Sequence, residues 1–240
     1  MLVTSEAIVL HALKYGESDL ITTLFTKSEG IKTYLIIGVL KSKKGKIRAS
    51  FFQPLTLLDI EAVHKNKGTL ERIREARISV PFKTLHTDVI KNALVFFMAE
   101  VTKNSIKEEE ANEPLFHFLK NSVRWLDTHE QIYNFHIIYL IKLTAYLGFS
   151  PDITQVQYPY FDLENACFMA EDTGIYCRSG DYINTFKAFL GITFDAGISI
   201  KISRTTRMEI LSMLLSYFEL HLHGFKKPKS LAVLNEIFTS

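Results

Sequence analysis

The sequence predicts an α+β protein, with a small five-stranded β-barrel over residues 1–80 and a mainly α-helical region over residues 81–240. Three observations carry that expectation. β-Branched and alternating runs fill the first eighty residues. Apolar residues recur at helical spacing after Pro81. The charge divides at the same place: residues 1–80 hold thirteen Lys/Arg against eight Asp/Glu, a net +5, and the rest of the chain is −3. A chain that totals only +2 yet concentrates its cations in one part points to a polyanionic partner for that part.

Each strand has its own signal. Residues 7–13 are rich in β-formers and end at the turn YGES (15–18). LITTLFT (20–26) is a second run. KSEG (27–30) follows, with Gly30 suited to a positive φ, and residues 31–39 complete a hairpin. Pro54 opens a fourth run over 55–64, and KNKG (65–68) is another turn. Residues 69–80 alternate apolar and charged positions up to Pro81. The middle of that stretch also fits a helix, but the turn before it and the proline after it favour a strand. Five strands in so short a span bury their apolar faces most economically as a five-stranded barrel of the OB-fold type, a frequent binder of oligonucleotides.

Helices are expected over 88–104, 112–127 (Pro114 near its first turn), 131–147 (ending at Gly148, with Pro151 beyond) and from the capping box Thr206–Glu209 to His223, where Gly224 stops it. A short helix is expected near 231–238. Between them, residues 152–200 read as an irregular or partly stranded insertion. Ile210, Leu211, Met213, Leu214, Leu215, Tyr217, Phe218, Leu220 and Leu222 cover most of the 206–223 helix, which predicts burial nearly all round.

Composition excludes several classes. An apolar content of 47% with 22% charge is globular rather than disordered. No apolar run reaches the ~18 residues of a membrane span; the richest stretch, 132–149, is interrupted by Asn134, His136 and Lys142. The opening MLVTSEAIVL has an acid at Glu6 and no early cation, unlike a signal or transit peptide. Two cysteines in 240 residues suggest a reducing, cytoplasmic setting.

The residues with the clearest chemistry lie in KSKKGKIRASFF (41–52). Lys41, Lys43, Lys44, Lys46 and Arg48 stand between the third and fourth strands with no acid among them. Flexible ammonium groups in such a loop follow a phosphate backbone without reading bases. Phe51 and Phe52 follow; as strand neighbours they would face opposite ways, one filling the barrel and the other free to stack a base. The competing reading is a solvated loop and two core phenylalanines. Cys167 and Cys177 flank FMAEDTGIY; structural zinc needs four ligands, usually in two close pairs, so no zinc or other cofactor is expected. Two ordinary buried thiols, or a strand pair 166–170 and 174–178, account for them. His221 and His223 suit a helix C-terminus, and the acids 108–110 suit a solvated helix end. No phosphate-binding loop, nucleophile elbow or HExxH occurs, and no enzymatic activity is expected.

The opening AIVLHALKYGESDLITTLFTKSEGIKTYLIIGVLKSKKG resembles the N-terminus of the bacterial recombination mediator RecO family, as do Gln53-Pro54, NFHIIYLIKLTAYLGFSP (134–151) and SYFELHLHGFKKPKSLAVL near the end. The resemblance covers almost the whole chain. It implies an N-terminal OB-fold and a helical C-terminal domain. It also implies binding of single- and double-stranded DNA, annealing of complementary strands, assembly with RecR, and contact with the C-terminal tail of single-stranded DNA-binding protein so that RecA is loaded. For that acidic tail, Lys120, Arg124 and Lys142 lie on helices suited to frame an apolar pocket. Many family members carry a four-cysteine zinc insertion; here only Cys167 and Cys177 occupy the matching region, which implies a ribbon that lost its metal and kept its hairpin. An OB-fold adaptor without DNA contact and an RNA-binding OB protein remain the alternative readings.

Overall fold

β1 (Leu2–Tyr15) organises the N-terminal part of this computed structural model, which describes residues 1–41, 46–65, 70–106 and 110–238. It pairs antiparallel with β2 (Asp19–Thr26) on one side and β4 (Leu57–Val63) on the other. β3 (Gly30–Ile36) lies outside β2, and β5 (Arg72–Ile78) outside β4. The register shifts at Val9/His11 and again at Glu61/Ala62. Such bulges bend a strand and raise its twist, and here the sheet curls until its edges meet. Leu35 N–H donates to the Glu71 carbonyl at 2.9 Å, and Glu71 N–H donates to the Thr33 carbonyl at 2.9 Å. The two edges touch at that single parallel bridge, so the OB-type sheet is not closed along its length.

Alternation fails in β1 for a physical reason. Ala7 and Val9 face the barrel interior with Leu24, Tyr34, Ile36, Leu58 and Ile60. Ile8 and Leu10 point the other way and are buried as well, because helices cover that face. α1 (Val89–Ser105) packs on β1, and Phe116 of α2 (Glu113–Thr128) brings its ring centroid to 5.9 Å from that of Phe25. The first compact unit is therefore Met1–Thr128, and the second is His129–Ser240. Asp88 caps α1 by accepting from Lys91 N–H at 2.9 Å, and Asn112 accepts from Leu115 N–H at 3.0 Å at the head of α2. Both starts are where the sequence places them.

The second unit is built on α3 (Phe135–Leu147) and α6 (Arg204–His221). Two helix starts differ from expectation. α3 begins after Asn134 rather than at Gln131, because the Asn134 amide is tied elsewhere: it donates to the carbonyls of Gly197 and Ile200 at 3.1 and 2.7 Å. α6 begins at Arg204, two residues before the TxxE box, because Ser203 is itself a cap and accepts from Thr206 N–H at 3.0 Å. α6 ends at His221, and Leu220 stays 36% exposed, so burial is less complete than the sequence suggests.

The 152–200 insertion is ordered. β6 (Tyr160–Asp162), β7 (Cys167–Met169) and β8 (Cys177–Arg178) form a small sheet, followed by α4 (Asp181–Lys187) and α5 (Phe194–Ile198). The expected mutual pairing of 166–170 and 174–178 does not form: the sheet order is β7-β6-β8. From the central β6, Phe161 brings its ring centroid to 4.9 Å from Phe168 of β7 and 5.2 Å from Phe186 of α4. α7 (Leu231–Ile237) ends the described chain.

Candidate nucleic-acid interface

The basic segment leaves the barrel from a fixed base. Asp19 accepts from Gly38 N–H at 2.8 Å and from the Ser18 hydroxyl at 2.7 Å, and Leu40 N–H donates to the Ser18 carbonyl at 2.8 Å. Gly38 takes φ +70°, a left-handed turn open to glycine without strain. The bonds from Gly38 and Ser18 hold the Asp19 carboxyl below its ordinary range. The chain is therefore directed outward at Lys41, which is exposed. Lys43 and Lys44 lie outside the described residues.

The returning segment corrects one expectation. Phe51 and Phe52 are not strand neighbours; they sit in a single 3-10 turn, Ala49–Phe52. A turn of about three residues does not send neighbours to opposite faces. Phe52 is 2% exposed inside the barrel, while Phe51 is half-buried against the same cluster, so neither ring stands free in solvent. The turn packs on β1 and β5, with Arg48 exposed at its head.

Lys41 and Lys46 are exposed but paired, with Glu17 at 2.9 Å and Glu75 at 3.2 Å. Pairs of this kind contribute about 0–1 kcal/mol, so an incoming phosphate competes with them at little cost. Arg74 reaches Glu61 at 3.4 Å. Arg48, Arg72 and Arg77 are exposed and make no ion pair with a described residue.

Between the β3 and β5 edges lies a cleft of about 370 Å³. Its apolar wall is Leu35, Ile37, Val39, Ile47 and Ile73, and its cations are Lys46 and Arg72. The cleft thus sets an aliphatic floor beside two cationic side chains of a kind that can hold a phosphate oxygen. The seam beneath is tied by side-chain hydrogen bonds. The Tyr34 hydroxyl and His64 Nε2 are 2.8 Å apart, His64 Nδ1 and the Glu29 carboxylate are 2.5 Å apart, and the His64 side chain is only 1% exposed. Burial, then the charges of Glu29 and Glu71, push the Tyr34 phenol above its ordinary range, so it keeps its proton. This buried pair joins strands; it does not face a substrate.

Of the residues expected from sequence, the structure gathers Lys46 at the cleft, with Lys41 and Arg48 exposed on the two segments that flank it in the chain. Arg72 is the residue that sequence reading missed. It was visible only as one of several charges in an alternating strand. The signal that finds it is topological: a barrel order that brings the start of β5 beside the end of β3.

The other candidates separate. Lys120 is committed to Glu6 at 2.7 Å, and Arg124 is exposed on α2; Lys142 is half-buried on α3 of the second unit. Cys167 and Cys177 are free thiols opposite the two sides of Asp162. Asp162 accepts from Asn165 and Thr173 at 2.9 Å each and from Glu164 N–H at 2.9 Å. With that carboxylate occupied, and no group of three or more metal-ligating side chains among the described residues, the donor set does not fit a four-ligand zinc site. His221 stacks on Phe149 at 5.0 Å and bonds the Leu163 carbonyl at 2.8 Å, and His223 is exposed. Glu110 is exposed, and residues 108–109 lie outside the described chain.

These features define a class: a small OB-type barrel with cations at its rim, continued by a helical unit. Comparison narrows it. Residues 1–82 match the family described as Recombination protein O N terminal, and residues 86–232 match Recombination protein O C terminal. The chain is 49% identical over 238 residues to the DNA repair protein RecO of Christiangramia forsetii, covering 99% of this chain and 100% of that one. It is 45% identical over 239 residues to its counterpart in Flavobacterium psychrophilum, across 100% of both chains. With the RecO of Bacteroides fragilis the identity is 34% over 242 residues, covering 99% of this chain and 100% of that one. The chain belongs to the recombination protein O family.

Proposed function

We propose that this protein is a recombination mediator in DNA repair that works by binding rather than by bond chemistry. It binds single- and double-stranded DNA, anneals complementary strands and, with RecR, helps load RecA on DNA coated by single-stranded DNA-binding protein. Membership in a family of DNA repair and recombination proteins supports the role. The observation that carries the contact is the apolar cleft rimmed by Lys46 and Arg72, with Lys41 and Arg48 exposed on the neighbouring chain segments. Screening the charge of two strands lowers the barrier to their pairing, which needs neither a catalytic residue nor a metal. Among the described residues no helix is long and apolar enough to cross a membrane. The acidic tail of single-stranded DNA-binding protein is assigned to the α2 surface that presents the exposed Arg124.

The test is fluorescence anisotropy of a labelled oligothymidine with the full chain and with Lys46→Ala/Arg72→Ala. Each phosphate neutralised on a single strand contributes about −0.7 to the slope of log affinity against log salt. The double variant should bind more weakly with a slope flatter by about 1.4, and a chelator should change neither value. An unchanged affinity and slope removes the cleft from the DNA contact.

A further inference from the structure

The cleft between the β3 and β5 edges has an aliphatic floor and offers no ring to a base. The barrel strands and loops hold five aromatic residues, Tyr15, Phe25, Tyr34, Phe51 and Phe52. Phe25, Tyr34 and Phe52 are buried, and Phe51 is half-buried against the core cluster. Tyr15 alone stands out, 54% exposed at the last position of β1. Its side chain makes no hydrogen bond, ion pair or ring contact with a described residue. Aromatic rings stabilise a fold chiefly through the area they bury, so this ring adds little to the barrel and is open to a ligand.

Strand register fixes where the ring lies. Ala12 packs on the interior cluster, so alternation turns Leu13 and Tyr15 outward. Leu13 pairs with Ile21 of β2, and Ile21 pairs with Leu35 of β3; directly opposed residues share a face. On β3, Tyr34 and Ile36 fill the barrel, and Leu35 lines the cleft. An apolar row, Leu13–Ile21–Leu35, therefore crosses the outer face of three strands and ends at the cleft. Tyr15 pairs with Asp19, whose carboxylate accepts from Gly38 N–H at 2.8 Å. That bond ties the Tyr15 turn to the segment of Ile37, which is 60% exposed and also lines the cleft. Two strand spacings separate Tyr15 from that segment by about 10 Å. α1 packs on β1, where Lys103 and Glu100 act on His11, but Leu13 is 57% exposed.

Cations border this face. Lys14 and Lys41 are exposed, and Lys46 and Arg72 stand at the cleft. The acids beside Tyr15 are engaged: Glu17 with Lys41 at 2.9 Å, and Asp19 with Gly38 N–H and the Ser18 hydroxyl. An exposed ring among cations is the arrangement that stacks the bases of a single strand while the cations follow its phosphates. We infer that Tyr15 stacks an unpaired base and that the outer face of β1, β2 and β3 carries the single strand from Tyr15 to the cleft. This role rests on the proposed DNA-binding function for its ligand. It supplies what the cations do not: phosphate contacts treat single and double strands alike, whereas a stacking ring needs a base out of its pair. Every base has a π-face, so the contact discriminates strandedness and not sequence.

The test uses the full chain, a labelled oligothymidine and a labelled duplex of the same length. Tyr15→Ala should weaken oligothymidine binding by about fivefold or more and leave the slope of log affinity against log salt unchanged, since no phosphate contact is lost. Duplex affinity and thermal unfolding should stay at wild-type values. Tyr15→Phe, which keeps the ring, should bind like wild type, and Leu13→Ser should weaken binding by a smaller factor. In a Trp125→Phe background, the fluorescence of Tyr15→Trp should be quenched by oligothymidine and not by duplex. If Tyr15→Ala binds oligothymidine like wild type while Lys46→Ala/Arg72→Ala binds more weakly, the stacking role is wrong and the DNA reading stands. If Tyr15→Ala flattens the salt slope or weakens duplex binding equally, the residue acts through phosphate contacts and stacking is overturned. If Tyr15→Phe loses as much as Tyr15→Ala, the hydroxyl and not the ring makes the contact, which also overturns it. If the wild-type chain shows no salt-dependent binding, the DNA reading itself fails, and the stacking role with it.

Discussion

Asp127 makes a quantitative prediction about what holds the first unit together. Its carboxylate accepts from the backbone N–H groups of Lys83, Thr84 and Leu85 at 3.0, 2.8 and 2.9 Å. Its carbonyl accepts from the Thr84 hydroxyl at 2.6 Å and from the buried Lys91 ammonium at 2.8 Å. One residue near the end of α2 thus satisfies the segment that joins β5 to α1. Burial alone would raise its carboxyl; the N–H groups of Thr84, Lys83 and Leu85 outweigh that and hold it low. Hydrogen bonds to a charged group contribute about 1.5–3 kcal/mol each, and unsatisfied donors add a penalty of similar size. The bonds share one carboxylate, so their effects do not simply add. Asp127→Ala should cost about 3–4 kcal/mol, and Asp127→Asn, which keeps one acceptor oxygen, about half of that. The single tryptophan, Trp125, lies two residues away on α2, so its fluorescence reports this unit during urea unfolding. A loss below about 0.5 kcal/mol in Asp127→Ala, with an unchanged denaturant slope, would refute the reasoning.

Three further outcomes are expected. Glu17→Ala/Glu75→Ala frees Lys41 and Lys46 from their surface partners; oligonucleotide affinity at low salt should rise by up to about fivefold, and a fall would exclude these lysines. In Gly197→Ala the new Cβ would collide with Ile138 Cδ1, so thermal unfolding of the second unit should shift downward by an amount equivalent to about 1–3 kcal/mol, with partial recovery on adding Ile138→Val. Burial, reinforced by the Arg207 charge, lowers the His136 imidazole from its ordinary 6.5 to about 3. The unfolded chain then binds the extra proton between those values, so stability should fall as pH drops below 6.5, at up to about 1.4 kcal/mol per unit. His136→Phe should flatten that part of the profile.

Much of the fold was legible in the chain because local chemistry and packing agree. Gly30 and Gly148 take the positive φ their turns require, and Asp88 and Asn112 begin helices where capping rules place them. Expectation and structure part where a side chain has two suitors. Asn134 bonds the α5 segment instead of extending α3 upstream, and Ser203 pre-empts Thr206 as cap. β7 and β8 both pair with β6, and the Phe161 ring on β6 packs against both Phe168 and Phe186. The candidate site was legible in composition but not in shape. A run of cations announces a polyanion contact, but only barrel topology places Lys46 beside Arg72. Phe51 and Phe52 were misassigned because a 3-10 turn has no two-residue period.

The account depends on cations of the barrel rim meeting phosphate directly. Parallel salt titrations of the full chain with DNA and RNA oligonucleotides of the same sequence test it most directly. The account predicts affinity for single-stranded DNA that falls linearly with log salt, at about −0.7 per phosphate held, and no preference for RNA. Affinity indifferent to salt would mark an adaptor that does not touch DNA, and a preference for RNA through its 2′-hydroxyls would mark an RNA binder. Either result contradicts the account.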